Sequence, residues 1–212
     1  TNQADAVRAF YSRLGLPFDH TLKLGGGVLQ HRYQAGEAVL KINDARETLA
    51  PRPADNPLME LIIAAGGCVA PATQTDPDGT RVTWVPQGHE GIEGLAVRLG
   101  VSDLKSSIAF YTQALGLTEE APGLLRCGRA LLMLQETDRA HTTESPLPAV
   151  GLRYLTLQVQ DCDATYADAL QAGATSGRAP VTLGNTARIA FVHDPDGTWI
   201  EISERASVTG RA

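Results

Sequence analysis

"RIAFVHDPDGTWIEIS", residues 188–203, carries a turn between two alternating runs, and the turn returns as "DPDGTRVTWV" at 76–85. Asp-Pro-Asp-Gly is strong turn chemistry: proline presets one backbone angle, aspartate accepts from nearby amides, and glycine takes a positive φ. Alternating residues on both sides make each copy a β-hairpin. The motif alone is common. Its recurrence at an offset of 118 residues is what organises the chain. The copies differ where chemistry would matter: the second has Glu201 at the position where the first has Thr83.

A second echo sits upstream. "VRAFYSRLGLPF" (7–18) and "IAFYTQALGLTE" (108–119) share Phe-Tyr at an offset of 100, each followed by Leu-Gly-Leu. Ala6, Phe10 and Leu14, like Ile108, Tyr111 and Leu115, have helical spacing, and Gly15 and Gly116 stand where a helix stops. Around the second echo a full unit is legible. A strand at 94–101 leads through the N-cap sequence "SDLKSS" into a helix over 103–115, followed by strands near 124–127 and 129–136. The pattern then restarts with a strand at 153–160, a helix at 163–173 and strands near 179–183, 187–193 and 198–203.

The amino-terminal half is cut down. Glu60 and Thr83 lie 23 positions apart, against 47 between Tyr154 and Glu201, so its second unit lacks about a helix with its connections. "AAGGCVAPATQT" (64–75) is too short and too rich in glycine and proline to restore one. The chain also opens on a helix, and the strand expected before Asp5 does not appear. Either residues precede Thr1 or another element covers that sheet edge.

Composition sets the class. With 43% hydrophobic and 20% charged residues over 212 positions, the chain reads as a soluble globular protein. A net charge of −6 and the absence of a basic stripe argue against a nucleic-acid partner. No apolar run approaches the roughly 18 residues of a membrane span, and "TNQADAVRAF" lacks the regions of a signal peptide. No membrane partner is expected, and the cytoplasm is the default location. Cys68, Cys127 and Cys162 are odd in number and scattered, suggesting neither a disulfide framework nor a zinc site.

The stretches "RLGVSDLKSSIAFYTQALGL", "LQVQDCDATYADALQAGA" and "RIAFVHDPDGTWIEIS" resemble the vicinal oxygen chelate superfamily of glyoxalase I, bleomycin-resistance proteins and extradiol dioxygenases. The resemblance is specific over about 93–205 and extends through the internal repeat to most of the chain. It implies an α+β fold of paired βαβββ modules curling into cup-shaped, incompletely closed β-barrels, with four modules of which the second is degenerate. The expected division is an amino-terminal half, 1–90, without its first strand and with a shortened second module, and a complete carboxy-terminal half, 91–212.

The resemblance also implies a divalent metal held by one residue on the first and one on the last strand of each module, which can bind vicinal oxygens of a substrate. In the carboxy-terminal half those positions fall on Ala96, Met133, Tyr154 and Glu201, and only Glu201 is a usual ligand. In the amino-terminal half they fall on Lys41, Glu60 and Thr83. No metal ligand set and no cofactor are therefore expected, with a divalent metal on displaced ligands as the alternative.

Residues sharing parity with these positions should line one concavity of the carboxy-terminal half. The candidate catalytic residues are Glu201 as general base, with Tyr154 or Arg98 polarising an oxygen. Met133, Gln135, Thr156, Gln158 and Trp199 are candidate substrate contacts. A structural pairing of Glu201 with Arg98 is the plainer alternative, as is packing for Tyr154, Met133 and Trp199. Lys41 with Glu60 reads as a salt bridge. His20, His31, His89, His141 and His193 show no ligand spacing, and His31 alone lies within reach of a cup, with a structural role preferred. "LGGGV" (24–28) is a strand connection rather than a nucleotide loop.

Function is accordingly expected to be binding, and preferably transformation, of a small polar organic molecule in the carboxy-terminal cup without the usual metal. Sequestration of the bleomycin-resistance type and a metal-dependent glyoxalase or dioxygenase activity are the alternatives. The enzyme classes in view are lyase, isomerase and oxygenase, and a homodimer is a possible partner arrangement.

Overall fold

The computed structural model describes residues 1–138 and 146–210; His141, one of the five histidines, lies outside the described residues. Four units follow in chain order. The first is α1 (Ala4–Arg13), β1 (Phe18–Lys23), β2 (Leu29–Ala35) and β3 (Ala38–Asp44). The second has strands only: β4 (Leu58–Ala64), β5 (Ala72–Thr75) and β6 (Arg81–Val85). The third is β7 (Leu95–Val101), α2 (Leu104–Gln113), β8 (Thr118–Ala121), β9 (Leu124–Cys127) and β10 (Ala130–Glu136). The fourth is β11 (Tyr154–Gln158), α3 (Cys162–Gln171), β12 (Thr175–Leu183), β13 (Ala187–His193) and β14 (Trp199–Arg205), closed by a short α4 (Ala206–Thr209). No helix among the described residues is long and apolar enough to cross a membrane.

The second and third helices begin where side chains satisfy their free amides. Asp103 accepts from Ser106 N at 2.6 Å and Asp161 from Ala164 N at 2.9 Å. Gly15 and Gly116 end α1 and α2 with φ of +81° and +71°. The degenerate second unit keeps the pairing that defines its relatives. Its first and last strands run parallel, β4 with β6, as β7 does with β10 and β11 with β14.

The strands form three open sheets, ordered β1-β2-β3, β5-β6-β4-β7-β10-β9-β8 and β11-β14-β13-β12. The middle sheet fuses the second and third units through antiparallel β4 and β7, with Ile62 opposite Ala96. Strand pairing thus crosses the expected division at residue 90. The first and fourth units face each other instead, joined by side chains of β3 and β11 that bond across the gap. The two concavities therefore combine units two with three and one with four, a nested arrangement rather than one cup in each half.

The repeated motifs meet in the core. Tyr11 on α1 donates to Asp76 Oδ2 at 2.9 Å, and Tyr111 on α2 donates to Asp194 Oδ2 at 2.7 Å. In each turn the other carboxylate oxygen accepts from two backbone amides, of Asp78 and Thr80 or of Asp196 and Thr198. The Phe-Tyr pairs pack edge to face at 5.1 and 5.3 Å, contacts worth about 1 kcal/mol each beyond burial. The recurrence of DPDG is thus structural: each turn caps a buried tyrosine from a helix in the preceding unit. Burial pushes Asp194 up to about 6.

Candidate functional site

Side-chain alternation divides each sheet into a face packed on helices and a face lining a cup. In the cup of units two and three, Glu60 on β4 is clamped. Its Oε1 accepts from Arg81 Nε at 2.9 Å and from the Thr83 hydroxyl, and its Oε2 accepts from Arg98 Nε at 3.0 Å. These donors hold its carboxyl below the usual range against the opposing effect of burial, which is the largest single influence. Beside the clamp, Ile62, Ala96 and Leu131 pack into a small apolar cluster, with Met133 against it. Arg98, Met133 and Ala96 thus face this cup, which is without Glu201. Gln135 is exposed near the end of β10.

Glu201 lies in the other cup. Its Oε2 accepts from Lys41 Nζ at 2.7 Å and from Thr156 Oγ1 at 2.8 Å, and Lys41 Nζ donates to Thr156 Oγ1 as well, at 2.7 Å. Both side chains of this ion pair are 11% exposed. Glu201 Oε1 has no hydrogen-bond partner among the described residues. The expected pairs Lys41 with Glu60 and Arg98 with Glu201 are thus exchanged: each carboxylate takes the cation that the nested arrangement brings to it.

Around that pair the register assembles a polar face. Arg32 stands opposite Lys41, and Gln30 opposite Asn43, on β2 and β3. Arg32 Nη1 donates to Gln30 Oε1 at 3.2 Å, Gln30 Nε2 to Asn43 Oδ1 at 3.0 Å, and Asn43 Nδ2 to the Tyr154 hydroxyl at 3.2 Å. The Tyr154 ring lies 5.5 Å from Lys41 Nζ. Burial, then the charge of Glu201, pushes Tyr154 up to about 12, so its phenol stays protonated and can donate. Burial lowers Lys41, while Glu201 works against that shift.

An aromatic wall completes the site. Phe191 sits opposite Glu201 on β13 and β14, with Tyr154 and Trp199 edge-on to it at 5.9 and 6.1 Å. Trp199 needs Gly177, where a β-carbon would come within 2.5 Å of its ring. His193 packs on Trp199 at 3.9 Å, and its buried Nε2 has no hydrogen-bond partner among the described residues. Gln158 is exposed at the rim, its amide donating to Val159 O.

The structure therefore brings Glu201, Tyr154, Thr156 and Trp199 together, leaves Gln158 at their edge, and sends Arg98, Met133 and Gln135 elsewhere. Sequence reasoning passed over Arg32, Asn43, Gln30 and Phe191. Parity along "LQHRYQ" would have found the first, since Arg32 must face opposite to its neighbour His31. His31 lies on the other face, bonded through Nδ1 to the Thr21 hydroxyl at 2.8 Å, and reaches no cup.

The divalent ion implied by the sequence resemblance does not fit these residues. The Lys41 ammonium already stands against the one carboxylate of its cup, and a protonated phenol is no ligand. In the other cup Glu60 is enclosed by two guanidinium groups and a hydroxyl. Among the described residues no three His, Cys, Asp or Glu side chains are grouped to hold a metal. A cleft of about 350 Å³ lies away from both cups, between the β2–β3 hairpin and residues 87–94. Arg129 crosses it to Glu37 and Glu93 at 2.9 and 3.0 Å in exposed pairs, so it reads as a seam between units.

No curated protein matches the chain in sequence. Glyoxalase I from Zea mays is 17% identical with a TM-score of 0.76, covering 96% of this chain and 89% of that one. Structures of two mutants of the same maize protein give 18% and 16% identity, with TM-scores of 0.76 and 0.75 over 96% of this chain and 89% and 90% of theirs. At such identities the likeness shows the fold. The family model matches residues 95–202, which is 108 of the 212 positions. The chain belongs to the glyoxalase/bleomycin resistance protein/dioxygenase superfamily.

Proposed function

We propose that the chain binds a small polar organic molecule in the cup between its first and fourth units and transforms it without a divalent metal. Glu201 is the general base and Tyr154 the neutral donor to a developing oxyanion. Lys41 supplies the fixed positive charge. One observation carries the reading: Oε2 of Glu201 is held by Lys41 and Thr156 while Oε1 is unbonded among the described residues, beside an aromatic wall. A carboxylate so oriented can take a proton from carbon, as an isomerase or lyase requires.

Sequestration without turnover is the second reading, favoured by the same ion pair, which bridges β3 and β14 as a structural clasp would. Proton exchange separates the two. The protein is incubated in D₂O with a panel of small oxo-acids and aromatic carboxylates, and loss of carbon-bound protons is followed by NMR. Catalysis predicts exchange that falls about 100-fold or more in Glu201→Gln. Exchange unchanged by that substitution removes Glu201 as base, and binding without exchange supports sequestration. A homodimer is proposed alongside, since β1 and β12 each end a sheet on the side away from the cup; a monomeric mass by light scattering would overturn it.

A further inference from the structure

The buried charge of this cup does not balance. Arg32 is 7% exposed, and among the described residues its side chain makes one hydrogen bond, to the neutral Gln30 amide, with no carboxylate within ion-pair range. It stands directly opposite Lys41, and Arg205 is close enough to act on both. Like charges opposite each other on a sheet destabilise it. An interior guanidinium without a counter-ion is costlier still. Glu201, the cup's carboxylate, is already taken up by Lys41. Three cations thus share one buried carboxylate in this cup, with Asp19 acting on Arg32 from the exposed strand β1, in a chain whose net charge is −6.

We infer that the ligand of this cup is an organic monocarboxylate with a flat apolar body, its carboxylate held by Arg32 and Lys41 and its body lying on Phe191 and Trp199. This rests on the reading of the cup as a ligand site and names what that site selects. A guanidinium fork matches a carboxylate in two parallel hydrogen bonds, and four of the five N–H groups of Arg32 are not engaged by the described residues. Phe191 opposite Glu201 places apolar surface beside the charged end. The free oxygen of Glu201 repels a second negative charge, which favours a monoanion over inorganic phosphate.

The test uses the purified chain with sodium benzoate, neutral benzyl alcohol and inorganic phosphate. Binding is read from the two indole N–H signals, since Trp199 lines the cup and Trp84 lies in the helix-side core. Benzoate is expected to move the Trp199 signal and to bind about ten-fold or more tightly than benzyl alcohol. Arg32→Met should remove that preference, leave benzyl alcohol binding unchanged, and raise the melting temperature of the unliganded protein. Arg32→Lys should restore part of the preference. Should the variants fail to fold, 0.5 M chloride on the parent protein must weaken benzoate and spare benzyl alcohol.

Equal affinity for benzoate and benzyl alcohol, or a preference that survives Arg32→Met, overturns the carboxylate assignment and leaves the cup as a ligand site. Phosphate binding as tightly as benzoate overturns it in favour of an inorganic anion. If no probe moves Trp199 while Glu201-dependent exchange in D₂O persists, this inference falls alone. If both are absent, the reading of the cup falls with it.

Discussion

The two cups have the same ancestry in the repeat and opposite finishes. In the cup of units two and three, both oxygens of Glu60 are capped, by Arg81 and Thr83 on one side and Arg98 on the other, and Ile62, Ala96 and Leu131 fill the space beside them. In the cup of units one and four, one oxygen of Glu201 is held and the other is unbonded among the described residues, cations are in excess, and aromatic rings line the wall. Each cup retains one carboxylate from the repeat. Satisfying every bond of a polar group makes a brace, and leaving one unsatisfied next to an apolar surface makes a site.

The largest expected effect breaks the active side of that comparison. Glu201→Gln leaves Lys41, Arg32 and Arg205 without their anion and should cost about 3 kcal/mol of stability by denaturant unfolding. Adding Lys41→Met should recover most of it, because removing both partners of a pair costs less than removing one. A double variant as unstable as the single would show that the pair's charge balance is not what matters.

Of similar size is the pH response of the fourth-unit turn. Asp194 sits at about 6 in the fold against its ordinary 3.8, so the native state binds that proton more tightly. Its contribution to stability is full below about pH 4 and is lost as the pH rises through 6, amounting to at most about 3 kcal/mol. Asp194→Asn, whose Oδ1 still accepts from the turn amides while its Nδ2 donates to the Tyr111 hydroxyl, should flatten that slope when unfolding is followed from pH 4 to 7.

Glu60→Gln should cost less, about 1 kcal/mol, because Arg81 is 63% exposed and Arg98 32% exposed and both can turn to water. It should leave Trp199-detected binding and D₂O exchange untouched; an effect on either would make the braced cup a second site. Smallest is Gly177→Ala, which pushes the Trp199 ring from its seat for about 1 kcal/mol or less, and weakens aromatic ligands more than it weakens folding.

The modules are legible in the sequence because their markers are local. The Asp103 N-cap, Gly15, Gly116 and the DPDG turns fix backbone geometry within a few residues. The shortened second unit was visible as a spacing. What the sequence could not reach was which units share a cup, since that depends on pairing β4 with β7 rather than on any residue's own preference. Assuming that neighbours in sequence share a cup assigned Arg98 to Glu201 and Lys41 to Glu60, and both partners changed when the units nested. Glu201, Tyr154, Thr156 and Trp199 stay together because they lie within one unit, on two strands whose register the repeat defines.

At the position where the sequence resemblance puts a metal ion, the Lys41 ammonium stands against Glu201. Elemental analysis of the protein, purified without chelator and then offered zinc, manganese and nickel, tests it most directly. The account predicts well under one equivalent of any transition metal and a melting temperature indifferent to chelator. One tightly held equivalent, lost in Glu201→Gln and kept in Glu60→Gln, would contradict it.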